Sequence, residues 1–328
     1  MSQLPLVLVT HALPEGWLSA LEQRCRVITG PPETDRLSPE LELHLPEADG
    51  LLTLLTVRVD DNLLARAPRL RVVSNMAVGV DNIDLQACSR RGIPVGNTPG
   101  VLTDGTADLA MALLLAAARR LFEASRDAHQ GRWLTWSPTG WLGADLAGAY
   151  LGIVGMGKIG KAVARRAHAF GMRILYTDPE PQQEIEALTG AIRIPLDELL
   201  ADSDFVSLHT PLTPGTRGLI NEGALKKMKP SAILVNTSRG PVVDTSALLH
   251  ALQSGRIAGA ALDVTDPEPL PADHPLYSLP PSACLIVPHI GSATWNTRRA
   301  MAERACQNLL AGLQDQRLPY CANPEVYA

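Results

Sequence analysis

The chain has 328 residues, 46% apolar and 19% charged, a globular balance that excludes a disordered or fibrous protein and leaves room for one large or two medium domains. A net charge of −5 with no basic block argues against nucleic acid as a partner. Leu109 to Ala118, the longest apolar run, is too short to span a bilayer, and Met1 to Thr10 lacks the length and charged start of a signal peptide. No membrane partner is expected, and the expected location is cytoplasmic. Cys25, Cys88, Cys284, Cys306 and Cys321 show no CxxC or Cys/His spacing, so they read as reduced thiols with no metal site.

In chain order, strands are expected at Leu4–Val9 and Arg26–Thr29 around a helix at Glu15–Arg24. A strand at Gly50–Leu54, a helix at Asp61–Ala67, a strand at Leu70–Ser74, a helix at Leu85–Arg91 and a strand at Ile93–Gly96 follow. Strands alternating with helices at this spacing imply a parallel sheet. The exit Ser74-Asn-Met-Ala-Val-Gly-Val-Asp81 lies where such sheets bind ligands, and its N–H groups around Ala77 to Gly79 could form an anion nest. A turn that simply needs Gly79 explains the same residues. Asn97 to Gly100 reads as a linker, followed by a long Ala/Leu-rich helix at Thr103–Leu121. Gly131 to Trp141 holds three of the five tryptophans in irregular sequence; it reads either as a contact surface or as a loop folded on its own core.

Tyr150 to Val154 is a short buried strand that breaks into Gly155-x-Gly157-x-x-Gly160, with helical spacing from Lys161 to Gly171. The first glycine permits the tight turn, the second admits a pyrophosphate and the third lets helix and strand pack closely. Free N–H groups and the helix dipole then meet the phosphates. A second strand, Arg173–Thr177, ends on Asp178, close to the roughly 20-residue spacing at which an acid holds a ribose hydroxyl. A dinucleotide site is therefore expected. Further strands are expected at Ala191–Ile194, Asp204–His209, Ala232–Asn236, Gly259–Val264 and Ala283–Pro288, with helices at Pro195–Ala201, Glu222–Lys227 and Asp244–Gly255. The fold class is α/β, with two doubly wound parallel-sheet units. A last helix, Asn296–Leu313, could return to the first unit and make it discontinuous.

The late strands end on His209, Arg239, Glu268 and His289, all at carboxyl ends where an open α/β sheet has its crevice. Reduction of a carbonyl beside a nicotinamide needs a cation to hold the substrate carboxylate and polarise the carbonyl, and arginine does so with a planar fork. It also needs an acid, and histidine suits because it exchanges protons near neutral pH. A carboxylate beside that histidine favours the imidazolium. Arg239, His289 and Glu268 fill these roles.

Asn236-Thr-Ser-Arg-Gly240, Ala261-Leu-Asp-Val-x-x-Pro-Glu-Pro-Leu270 and Pro288-His-Ile-Gly-Ser-Ala293, together with the glycine loop, resemble the D-isomer-specific 2-hydroxyacid dehydrogenase family end to end, most closely its glyoxylate/hydroxypyruvate reductases. The resemblance implies a Rossmann cofactor domain at 100–291, inserted in a flavodoxin-like substrate domain at 1–99 and 292–328, with a cleft between them. It makes Arg239 the substrate-binding cation, Glu268 the support of the histidine and His289 the proton donor. Leu55, Val78, Gly79, Ser292 and Trp141 would meet the 2-oxo or 2-hydroxy acid. Thr106, Gly155, Gly157, Lys158, Ile159, Gly160, Asp178, His209, Pro211, Thr216, Thr237, Asp263 and Gly291 would meet the cofactor. A homodimer through the cofactor domain is implied, with Trp136 and Trp141 reaching the neighbour.

NADPH-using relatives carry arginine just after the second strand, whereas this chain reads Thr177-Asp-Pro-Glu-Pro181, with Arg193 well beyond the loop. NAD(H) is therefore expected over NADP(H). Val78 stands where phosphite dehydrogenases place lysine, and Glu268 argues against formate dehydrogenases. D-lactate and phosphoglycerate dehydrogenases keep the same triad and stay open. So does a non-enzymatic dinucleotide-sensing reading, like the dehydrogenase-related corepressors, although the long disordered tails expected for partner recruitment are missing.

Overall fold

The computed structural model describes residues 4–328, so the first three residues of the N-terminal stretch lie outside it. The chain divides into two compact units. One runs through Leu102 and resumes at Thr294; the other is the continuous stretch Thr103–Ala293.

The first unit contains β1 (Leu6–Val9), α1 (Ser19–Glu22), β2 (Arg26–Thr29), α2 (Pro39–His44), β3 (Gly50–Thr53), α3 (Asp61–Arg66), β4 (Val72–Asn75), α4 (Leu85–Arg90) and β5 (Val95–Gly96). Its five strands are parallel in the order β2-β1-β3-β4-β5, so the winding reverses between β1 and β3. That is the flavodoxin-like order. β1, β3 and β4 are buried along their length, as strands covered on both faces are. Alternate residues serve opposite cores. Leu8, Leu51 and Val73 pack with Leu41 and Leu63, while Val7, Leu52 and Val72 pack against Met301, Ala305 and Leu309 of the terminal helix Trp295–Leu313.

The segment after that helix lies along the outer edge of β5. Ala322 N donates to Val95 O at 2.7 Å, and Val95 N donates to Asn323 Oδ1 at 2.7 Å. The expected helix at Glu15–Arg24 shrinks to α1, because Pro14 to Trp17 forms a turn with Gly16 at φ +81°.

The second unit contains α5 (Thr103–Ala118), α6 (Leu121–His129), β6 (Tyr150–Val154), α7 (Lys158–Ala169), β7 (Arg173–Thr177), α8 (Gln183–Thr189), β8 (Ile192–Arg193), α9 (Leu196–Asp202), β9 (Phe205–Leu208), α10 (Glu222–Lys227), β10 (Ile233–Asn236), α11 (Thr245–Gln253), β11 (Gly259–Leu262) and β12 (Cys284–Ile286). Its seven strands are parallel in the order β12-β11-β10-β9-β6-β7-β8. The winding reverses between β6 and β9, as in a Rossmann sheet. Ile153, Tyr176, Val235 and Ala261 face α5 and α7; Val154, Val206, Leu234 and Leu262 face α9 to α11.

The helix expected to reach Leu121 stops at Ala118. Ala118 O accepts from Ala144 N at 2.8 Å, and Arg120, at φ +51°, turns the chain into α6. Among the described residues, no helix is long and apolar enough to cross a membrane.

Candidate active site

All seven strands of the second sheet are parallel, so their carboxyl ends share one rim. At the switch point, β6 passes through Gly155 into α7. Gly155 has φ +92°, and a Cβ there would lie 2.9 Å from the His209 backbone. Gly160 packs so closely that a Cβ would meet Gly155 O at 2.2 Å. Gly157 is different. It caps α7 with extended backbone, and an added Cβ meets nothing within 4 Å. The N–H groups of Lys158, Ile159 and Gly160 form the first turn, where no intrahelical acceptor exists. Open space over free N–H groups is what a pyrophosphate requires.

Asp178 directly follows β7, with its carboxylate turned onto this loop. Oδ2 accepts from Met156 N at 2.8 Å and Oδ1 from Glu180 N at 3.2 Å. Arg193, however, is not remote from the loop as its sequence position suggests. β8 pairs with β7 so that Arg193 stands beside Tyr176; its Nε donates to Asp178 O at 2.9 Å and its Nη2 to Pro179 O at 2.5 Å.

The remaining cofactor candidates follow the same rim. His209 Nε2 pairs with Ser207 Oγ at 2.8 Å, while Nδ1 is closed from solvent without a partner. Burial pulls its pKa down to about 4, so the ring is neutral near pH 7. Thr237 Oγ1 is likewise buried without a partner. Thr216 Oγ1 donates to Pro211 O at 2.6 Å and closes the 211–216 loop. Thr106 lies buried on α5, 3.4 Å from the position of a Cβ at Gly291. Open space at Gly157, an oriented acid and two orphaned polar atoms together fit a dinucleotide.

The triad candidates stand on β10, β11 and β12 exits. Gly240 passes so near Thr265 that a Cβ would lie 1.8 Å from its carbonyl oxygen, which sets the neighbouring Arg239 beside the acidic loop after β11. Asn236 Nδ2 holds Arg239 O at 2.9 Å. His289 adopts φ +52°, a conformation that disfavours a residue with a side chain. Its N–H donates to Asp263 O at 2.9 Å, and the buried Asp263 carboxylate accepts from Ile290 N at 2.6 Å and Gly291 N at 2.9 Å. Burial raises the Asp263 pKa against those two bonds. Asp263 therefore shapes the histidine turn, and Ser292 follows it directly.

His289 Nδ1 meets Glu268 Oε1 at 2.5 Å. An ionised carboxylate only accepts, so Nδ1 carries the proton. Among the described residues none is recorded as bonding Nε2, which is the nitrogen available to a substrate. No group of three or more His, Cys, Asp or Glu among the described residues is placed to hold a metal.

In the first unit, the loop after β4 has three consecutive carbonyls tied back. Thr98 N donates to Ala77 O, Asn97 Nδ2 to Val78 O and Asn75 Nδ2 to Gly79 O, each at 2.8 Å. Among the described residues none accepts from the Val78 or Gly79 N–H, so both are available to an anion. Gly79 is not at positive φ, so the turn itself does not demand glycine. Asn82 donates to Leu54 O at 3.0 Å and Val57 O at 2.9 Å, tying this loop to the one that carries the exposed Leu55. In the second unit, Trp141 Nε1 donates to Asp127 Oδ2 at 2.9 Å.

Sequence reading missed Asn75, Asn82 and Asn97. A lone asparagine carries no motif, although polar residues just past an apolar strand are the signal to follow.

Residues 111–291 match the family described as D-isomer specific 2-hydroxyacid dehydrogenase, NAD binding domain. A glyoxylate reductase of Korarchaeum cryptofilum is 48% identical, over 98% of this chain and 97% of its own. The crystal structure of a Thermus thermophilus protein superposes with TM-score 0.90 at 48% identity, covering 97% of this chain and 99% of that one. The NADPH-dependent glyoxylate/hydroxypyruvate reductase of Sinorhizobium meliloti, solved with NADP and malonate, superposes with TM-score 0.82 at 31% identity, covering 98% and 97%. The chain belongs to the D-isomer-specific 2-hydroxyacid dehydrogenase family. It is an NAD(P)-dependent oxidoreductase of that class, built on a Rossmann-type two-domain fold.

Proposed function

We propose that the chain reduces glyoxylate, hydroxypyruvate or both to the corresponding 2-hydroxy acid, with NADH preferred over NADPH. The observation that carries this reading is the His289–Glu268 pair, with Nδ1 held by the carboxylate and Nε2 open. His289 gives its Nε2 proton to the carbonyl oxygen, and Glu268 stabilises the imidazolium before transfer. The nicotinamide ring, when bound, supplies the hydride.

Arg239 polarises the carbonyl as negative charge grows on its oxygen. The Val78 and Gly79 N–H groups bind the substrate carboxylate, and Leu55, Ser292 and Trp141 are further substrate contacts. The unit resuming at Thr294 is the substrate unit, and the other holds the cofactor. Thr106, the glycine loop with Lys158 and Ile159, Asp178, His209, Pro211, Thr216, Thr237, Asp263 and Gly291 serve the dinucleotide. Two like charges about 4 Å apart cost on the order of 4 kcal/mol at a surface-like dielectric, so Asp178 disfavours a 2′-phosphate.

A homodimer through the cofactor unit would cover the exposed side chains of Leu121, Phe122, Trp133, Leu134, Trp136 and Leu142, which are otherwise left in water. The location proposed is cytoplasmic.

NADH oxidation with glyoxylate, hydroxypyruvate and pyruvate tests the reading. Glyoxylate or hydroxypyruvate should exceed pyruvate in kcat/KM by at least about tenfold, since pocket shape alone commonly supplies that much. Pyruvate as the best substrate would make it a D-lactate type. NADH binding without turnover of any 2-oxo acid would favour the sensor.

The clamp on the carboxylate loop gives a separate expectation. Asn97→Ala removes the donor on Val78 O, worth about 1 kcal/mol, and frees the peptide to rotate. KM for the 2-oxo acid should rise about fivefold while kcat stays within about twofold, as read from steady-state kinetics. An unchanged KM would remove Asn97 from substrate binding.

A further inference from the structure

Arg193 brings a cation to the loop from which Asp178 projects. β8 is the edge strand of its sheet, and the exposed Arg193 side chain runs from it to the carbonyls of Asp178 and Pro179. The Asp178 carboxylate is held elsewhere, by the N–H groups of Met156 and Glu180. One residue thus presents an anion through its side chain and seats a guanidinium on its backbone.

The two carbonyl bonds use one Nε hydrogen and one Nη2 hydrogen. Guanidinium has five donors in a fixed fork. Among the described residues none is recorded as bonding Nη1, so the outer side of the fork stays available while the inner side keeps its seat. A planar fork with spare donors is the group that binds phosphate best, and a charged acceptor outbids neutral carbonyls.

We propose that Arg193 is a specificity-determining residue for the cofactor: it takes the 2′-phosphate of NADP(H) and makes the preference for NADH modest rather than exclusive. This rests on the reading that the glycine loop holds a nicotinamide dinucleotide. Repulsion by Asp178 alone would separate the two affinities by about 10³-fold. With Arg193 opposing it, the separation falls to about 10–30-fold.

The test is direct binding, followed by NADH and NADPH fluorescence in the full-length protein, with adenosine 2′,5′-bisphosphate and 5′-AMP as displacing probes. In the wild type, NADPH should bind about 10–30-fold more weakly than NADH. Arg193→Ala should weaken NADPH and adenosine 2′,5′-bisphosphate by at least about tenfold, and leave NADH and 5′-AMP within about twofold. Arg193→Lys keeps the charge without the fork and should restore part of the loss.

Equal weakening of all four ligands by Arg193→Ala would overturn the proposal, making Arg193 a brace for the loop. An unchanged NADPH affinity would overturn it too. Failure of the wild type to bind either dinucleotide would overturn the parent reading, a result distinct from both.

Discussion

Replacing His289 by glutamine is expected to lower kcat for glyoxylate by about 10²–10⁴-fold, the usual contribution of a positioned general acid, with NADH affinity within about twofold. Glutamine can still hydrogen-bond a carbonyl oxygen but gives up no proton at working pH, so the substitution isolates proton transfer from positioning. The residue is held in this geometry from two directions: its backbone is turned by Asp263 and its ring is fixed by Glu268. Among the described residues none bonds its other nitrogen. Glu268→Gln keeps an acceptor near Nδ1 but removes the charge, so its loss should be smaller than that of His289→Gln. Single-turnover kinetics at saturating NADH would check both. A His289→Gln enzyme with kcat within fivefold of wild type would mean that another group supplies the proton.

The second large effect separates binding from folding within one loop. Gly157→Ala should weaken NADH binding by at least about tenfold, because the new methyl occupies the open space over the free N–H groups. Stability should hold or rise by about 0.4–1 kcal/mol, since φ −68° suits alanine and the unfolded chain loses freedom. Gly160→Ala should fail differently. Its Cβ would lie 2.2 Å from Gly155 O, so α7 has to move away from β6, costing about 1–3 kcal/mol. Such a loss lowers Tm by several degrees in a domain of this size, and NADH binding falls with it. Thermal melts paired with NADH titrations read both variants. Normal NADH affinity in Gly157→Ala would end the assignment of this loop to the pyrophosphate.

Sequence reading succeeded where one residue class determines one structure. β6 carries an unbroken apolar run and β7 an apolar centre, Ile174 to Tyr176, and their bounds match Tyr150–Val154 and Arg173–Thr177 residue for residue. The glycine loop was legible because each glycine answers a separate steric demand. α2 and α8 escaped because they are short and carry few buried side chains, chiefly Leu41 and Ile185, which leaves no periodicity to detect.

Arg193 escaped for another reason. Fifteen positions separate it from Asp178 along the chain, yet the β7–β8 register sets it beside Tyr176. Distance along the sequence says nothing of distance across a strand pair. The left-handed backbone at His289 left no trace either, since it is imposed by Asp263, a residue distant in the chain.

The edge of β5, bonded by Ala322 and Asn323, bears on the order in which a growing chain acquires structure. Nascent domains ordinarily fold from the N-terminus onward. Here the first sheet lacks both the helix Trp295–Leu313 that covers one of its faces and the segment that closes its edge until residues 295–323 have been made. The inserted unit is continuous and can fold while those residues are still being added. Synthesis thus leaves the strands of the first sheet waiting with an unpaired edge, the feature most prone to pairing with another chain, until the segment carrying Ala322 and Asn323 ends that exposure.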